Sequence, residues 1–480
     1  MKRRDFVKRA AAGTGSFAAM SMYEMLEAGD AQAVSTSGAM GVEEGMYHLD
    51  IGKEKNVMPE LRPELKNNPR SVFLIETHVD ARKDETGHFT EAVPQLVEEG
   101  ASVAERLLVK GTKKGGSTCF KPNFTHVYSW DYNRTNAVYS SPDFIAGMVN
   151  HLRTIDNTNL IACEGPTASR VHRLGGVYDG FDPVELRMVE AGYERFEHFR
   201  KKDLNWKKTK DSVVWKQIPY VRPFGDEDNF LINVAAMKCH LTGLTTLTVK
   251  NLQGCVPRGY GQFCTPWDSL ESGAVRAGIP FKRDFHKNWQ QDVEASFLKH
   301  RAAGFKRWDH TGGYKRYEAK GGWDAYKKAK KDGREALRDF MSDVGQLMQH
   351  ELWVHRGLEN AEALKPDLNV VCGIFAIDGE ELHRDRIGTS QLTNIVVAGV
   401  SPYEVDAVGS YIMGHDPREL YYTRIAKERG FGECDVNKID INLIRDNGEI
   451  VPVKNLSEIK RHKIGLNWAR KEDPNERLFW

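Results

Sequence analysis

The sequence has no C-x-x-C pair: its seven cysteines, at positions 119, 163, 239, 255, 264, 372 and 434, stand apart. That spacing excludes a zinc ribbon, a thioredoxin motif and a ferredoxin-type iron–sulfur cluster encoded in this chain. The odd count excludes complete intramolecular disulfide pairing. Charge of either sign is not in excess, since 68 Lys and Arg face 67 Asp and Glu for a net charge of +1. A whole-protein field that would draw a polyanion is therefore excluded, and nucleic-acid or acidic-surface binding would need a local patch. No apolar run is long enough to span a bilayer and no internal repeat is evident. What remains is 480 residues, 40% hydrophobic and 28% charged. Such a chain is an ordinary soluble globular one, with room for two or three domains or for one large α/β domain with insertions.

A basic head opens the chain. Lys2-Arg3-Arg4-Asp5-Phe6-Val7-Lys8 precedes a mildly apolar stretch from Ala10 to Met20, and Ala31-Gln32-Ala33 follows. Paired arginines, apolar run and A-x-A cleavage site in that order resemble a bacterial twin-arginine signal. The apolar stretch is short and contains glycine, too weak to anchor the chain in a membrane. The expectation is export by the Tat translocase, loss of residues 1–33, and a periplasmic or secreted product with 63 basic and 63 acidic residues and no membrane span. The competing reading is a basic amphipathic first helix.

From residue 71 onward, short apolar runs alternate with helical patterns. Strands are predicted at 71–76, 118–121, 160–164, 230–235, 368–371 and 394–398. Helices are predicted at 91–109, from Ser141-Pro142-Asp143 to about Leu152, from Pro183 through Tyr193, at 338–352, and from Ser401-Pro402 to Gly414. The alternation predicts an α/β fold, a mainly parallel sheet flanked by helices. Residues 259–335 break the rhythm and read as a helical insertion. Residues 299–334 carry twelve Lys or Arg against four Asp or Glu, interleaved with Phe305, Trp308, Tyr314, Tyr317, Trp323 and Tyr326. Such a stretch can contact a protein partner, or can be a charged excursion whose aromatics pack on the main domain. No nucleic-acid motif accompanies it, so no nucleic acid is expected. The resulting organisation is a signal peptide at 1–33, an N-terminal extension at 34–70, a first α/β part at 71–258, the insertion at 259–335, a second α/β part at 336–433 and a C-terminal extension at 434–480.

Ligands of open parallel sheets bind beyond the carboxyl ends of the strands, so the residues that follow each apolar run are the candidates. They are polar: Glu76 and His78, Lys121-Pro122-Asn123, Glu164-Gly165-Pro166, and Lys238-Cys239-His240. In an extended backbone Lys238 and His240 share a side, because side chains alternate with period two. The segment Thr245 to Cys255 would likewise align Thr246, Thr248 and Lys250 if extended; a helix is equally possible there. Lys121, Lys238 and Lys250, with Asn123 and Asn251, are suited to a small anionic ligand such as a carboxylate or phosphate. His240 is the candidate general acid or base, with Glu164 or Asp406 as its orienting carboxylate. The alternative is a buried structural network in which Lys238 pairs with Glu164 or Asp406.

Ile232 to His240, continuing through Thr245 to Cys255, resembles the signature of the family catalogued as domain of unknown function 362: a K-x-H after a buried strand, then a threonine-rich run into K-N-x-x-G. Lys121-Pro122-Asn123, Ala191-Gly192-Tyr193, Val397-Ala398-Gly399, Asp406-Ala407-Val408, Met413-Gly414 and Gly430-Phe431-Gly432 agree with it. The resemblance covers about residues 71–258 and 336–433. It departs at Cys372-Gly373-Ile374, where the family usually has an aspartate before Gly-Ile, and it lacks the ferredoxin-like cluster domain that many relatives carry. The resemblance implies a fold and a map of positions rather than a reaction. Some members look like partners of redox systems, and the fold loosely resembles lactate-racemase-like proteins. The expectation is an enzyme with redox or isomerisation chemistry favoured, its cofactor and any metal unknown; the alternative is a non-catalytic binding or assembly protein that uses the insertion.

Overall fold

The computed structural model describes residues 56–83, 93–123, 138–164, 187–190, 204–209, 217–221, 224–240, 244–256, 321–333, 354–379 and 388–465, with single positions at 89, 319 and 336. These fall into two compact units. One holds helix α5 (Gly322–Asp332), inside the predicted insertion. Its lysines form i,i+3 and i,i+4 ion pairs, Lys327–Asp324 and Lys328–Asp332. The predicted helix at 338–352 lies outside the described residues.

The other unit is built on a ten-stranded sheet. Its strands are β2 (Val72–Glu76), β4 (Thr118–Lys121), β5 (Leu160–Glu164), β6 (Arg187–Glu190), β9 (Phe230–His240), β10 (Leu244–Thr246), β11 (Leu368–Asp378), β12 (Thr389–Gly399), β13 (Ile441–Ile444) and β14 (Ile450–Pro452). Their order is β14-β13-β2-β12-β11-β9-β4-β5-β6, with β10 folded back on the end of β9. Seven strands run one way, and β10, β12 and β14 run against them. This is the expected mainly parallel α/β sheet. The central strands β9 and β11 are buried along all eleven residues, as strands covered on both faces must be. Two antiparallel pairs lie apart from the sheet: β1 (Asn56–Leu61) with β3 (Leu108–Gly115), and β7 (Leu204–Lys208) with β8 (Gln217–Val221).

Alternation along the strands divides the core. Phe73, Ile75, Phe120, Ile232, Val234 and Val370 pack with α2 (Val93–Leu107) and α3 (Pro142–Thr154). Their neighbours of opposite parity face α4 (Thr248–Asn251) and α7 (Pro402–Ile412). Helix α3 starts as the sequence predicts, with Ser141 accepting from the Phe144 amide and Pro142 at the first turn. Helix α7 is followed by Gly414 at φ 98°, a left-handed stop suited to glycine. Short helices α1 (Pro63–Asn67) and α8 (Tyr421–Glu428) and a helix over residues 354–364, α6, complete the described elements.

Two sequence expectations differ from the structure. Residues 187–190, inside the helix predicted from Pro183 through Tyr193, form the edge strand β6, in register with β5. Pairing with an existing strand outweighs a helical pattern that has only Met188 and Val189 as apolar residues in that stretch. The segment from Thr245 is neither wholly extended nor wholly helical: β10 ends at Thr246 and α4 starts at Thr248, so Thr246, Thr248 and Lys250 do not line one strand face.

Candidate functional site

The chain leaves β4 through α3 for β5, on one side of the sheet, and leaves β9 for β11, on the other side. The carboxyl ends of β4 and β9 are therefore a topological switch point, where α/β sheets open a crevice. Strand β4 stops at Lys121, opposite Asn233, while β9 runs on to His240. The edge of β9 that β4 no longer covers is closed by side chains: Ser140 Oγ and Asn251 Nδ2 both donate to the Val234 carbonyl, at 2.7 and 3.2 Å.

Two lysines sit at this point, 1% and 0% exposed. Lys121 Nζ donates to the Pro122 carbonyl at 2.5 Å and to Asn251 Oδ1 at 3.2 Å. Lys238 Nζ donates to the Val138 carbonyl at 2.6 Å and to Asn123 Oδ1 at 3.4 Å. Asn123 is fixed by backbone and hydroxyl bonds with Ser140. Lys121 leaves its strand on the α4 face, whereas Lys238 has the parity of Ile232 and Val234 and leaves on the α2/α3 face. A group held by both would sit beyond the strand ends, where the two faces meet. His240, also buried, is the last residue of β9 and is paired through the backbone with Leu244.

A polar row crosses the sheet where β4 ends. Lys121, Asn233 and Asn369 are in register on β4, β9 and β11. Asn251 Nδ2 donates to Asn233 Oδ1 at 2.8 Å and to the Lys121 carbonyl at 3.0 Å. Asn233 Nδ2 in turn donates to Asn369 Oδ1 at 2.8 Å and to the Thr248 carbonyl at 3.0 Å. Asn233, Asn369 and Ser140 were not among the candidates. The signal of Asn233 and Asn369 was a single amide within an apolar run, which sequence reasoning reads as core.

Asp406, on α7, caps α4. Its Oδ1 accepts from the Thr248 amide at 2.7 Å and hydroxyl at 2.5 Å, and its Oδ2 accepts from the Val249 amide at 3.1 Å. Burial pushes its carboxyl up to about 7, against the pull of these bonds and of Tyr422. Thr245 Oγ1 lies 3.0 Å from both the Ser410 and Tyr422 hydroxyls. Lys250 is half-buried on α4. Glu164 ends β5, with a side chain outside the described positions. Burial pushes the Cys372 thiol up to about 12 and raises Cys119 further still, so neither is a thiolate nucleophile. Among the described residues, no group of three or more His, Cys, Asp or Glu is placed to hold a metal ion, and no helix is long and apolar enough to cross a membrane.

Fold and site together define an α/β protein with buried lysines at the switch point of its sheet. The family described as Domain of unknown function (DUF362) matches residues 119–411, more than half of the chain, and the chain belongs to that family. The match spans the switch point, α4 and Asp406. No curated protein and no solved structure matches the chain.

Proposed function

We propose that this protein is an exported enzyme whose crevice between the carboxyl ends of β4 and β9 binds a small anionic substrate or cofactor. Lys121 and Lys238 supply the counter-charges, Asn123 and Asn251 hold them in place, and Lys250 lies on the helix that carries Asn251. His240, two residues beyond Lys238, is the general acid or base, a task suited to an imidazole, which can both donate and accept a proton. Glu164 remains its candidate orienting carboxylate. Redox or isomerisation chemistry is the favoured class.

One observation carries the reading: two almost fully buried lysines stand at the ends of adjacent parallel strands at the switch point. Ligands of open α/β sheets bind at that place, and two ammonium groups there suit an anion. Small molecules and metals extracted from protein purified from its own exporting cell test the reading. One anionic compound in stoichiometric amount, lost from Lys238→Met, is expected. Equal small-molecule content in both proteins would contradict it.

A second reading, a non-catalytic binding or assembly protein, is favoured by the basic and aromatic residues of 299–334. It assigns the contact with a protein partner to that stretch.

A further inference from the structure

We infer that Asp406 is the positioning residue of Lys121, acting through the single turn α4 rather than on His240. The inference rests on the reading of Lys121 as a ligand counter-charge. A four-residue helix has no stability of its own, because nucleation costs more than one turn returns. Helix α4 is instead pinned at both ends. At its start Asp406 takes the Thr248 and Val249 amides and the Thr248 hydroxyl. At its end Asn251 spends its whole amide on the strands: Nδ2 on Lys121, Asn233 and Val234, and Oδ1 on the Lys121 ammonium. The Thr248 carbonyl is bound by Asn233 as well, so both ends of the turn rest on one β9 residue. At about 1.5 Å of rise per residue, a shift at Thr248 reaches Asn251 within one turn. Losing the Asp406 carboxylate frees two buried amides to seek other partners, and the Asn251 oxygen moves off Lys121. Lys238 is held from the other face by Asn123 and Val138, so it serves as an internal reference.

The test is competitive acetylation of the folded, full-length protein without ligand, read by mass spectrometry at Lys121 and Lys238. In Asp406→Ala, Lys121 labelling should rise roughly tenfold, the loss of one hydrogen bond, with Lys238 staying within about twofold. Asp406→Asn keeps an acceptor oxygen and should fall between wild type and alanine. Thr248→Val, which removes only the hydroxyl bond, should raise labelling of the same lysine by less, and it carries the test if the alanine variant does not fold. Equal rises at both lysines, or none at Lys121, would overturn the inference. Because no ligand is present, this result is independent of the anion reading, which is decided separately by binding of inorganic phosphate to wild type and Lys121→Met.

Discussion

Lys121 and Lys238 occupy positions where a lysine costs free energy, and the polar atoms gathered around them are the visible compensation. In the proposed function His240, also buried, is the residue that moves a proton. His240→Gln keeps a polar side chain that does not titrate near neutrality. Turnover should then fall more than ligand affinity, whereas equal losses in kcat and affinity would assign His240 to binding.

Two titratable groups make opposite demands on pH. Asp406, raised to about 7 from an ordinary value near 4, holds its proton more tightly folded than unfolded. Its contribution is present in acid and is lost as pH rises toward 7. His415, half-buried beside the Ile464 carbonyl and lowered by desolvation to about 4, does the reverse: its contribution is present above about 6.5 and is lost as pH falls through 4. Each effect is on the order of 3 to 4 kcal/mol at full extent, and between pH 4 and 6.5 they oppose each other. Asp406→Asn should show stability that climbs with pH in that window and His415→Gln stability that declines, read by denaturant melts. Parallel profiles in both variants would contradict this. At this scale the sequence displayed Lys121, Asn123, Lys238 and His240, because they follow apolar runs. It concealed Asn233 and Asn369, because one amide within a β-branched run has no period to mark it.

Helices α2 and α3 meet through glycine. A Cβ on Gly147 would stand 2.0 Å from the Val97 carbonyl oxygen, and one on Gly100 1.9 Å from that of Phe144. Backbone atoms cannot step aside as a side-chain end can. Gly147→Ala should therefore destabilise by about 1–3 kcal/mol despite alanine's better helix propensity, which favours the variant by about 1 kcal/mol. A urea midpoint at or above that of wild type would show that the helices can part. Elements were the most legible level of the sequence: caps and proline placed α3 and α7, and mainly apolar runs placed β9 and β11. What was illegible depended on partners far along the chain. Strand β6 exists because β5 offers it an edge, and the break between β10 and α4 falls where Asp406 accepts the first amides of the turn.

For the whole molecule, alternation of strands and helices announced a mainly parallel sheet, while strand order, and with it the switch point, is set by long-range pairing that no local pattern encodes. The proposed export signal makes its own prediction. Replacing Arg3 and Arg4 by lysine preserves charge but not the pair, so precursor should accumulate in the cytoplasm; unchanged export would contradict a twin-arginine signal. Deleting residues 299–334 separates the two functional readings. The assembly reading predicts a folded chain that no longer retains its partner in a pull-down, and loss of folding would assign the stretch to packing.

The most direct measurement of the central claim is calorimetric titration of wild type, Lys121→Met and Lys238→Met with inorganic phosphate and a set of small carboxylates, alongside thermal melts. A charge-assisted hydrogen bond in a desolvated site contributes about 1.5–3 kcal/mol, so each variant should bind the preferred anion roughly ten- to a hundredfold more weakly, with Tm losses that do not track the loss of affinity. An absence of saturable anion binding in wild type, or matched losses of affinity and Tm in both variants, would contradict the account and make the lysines part of a structural network.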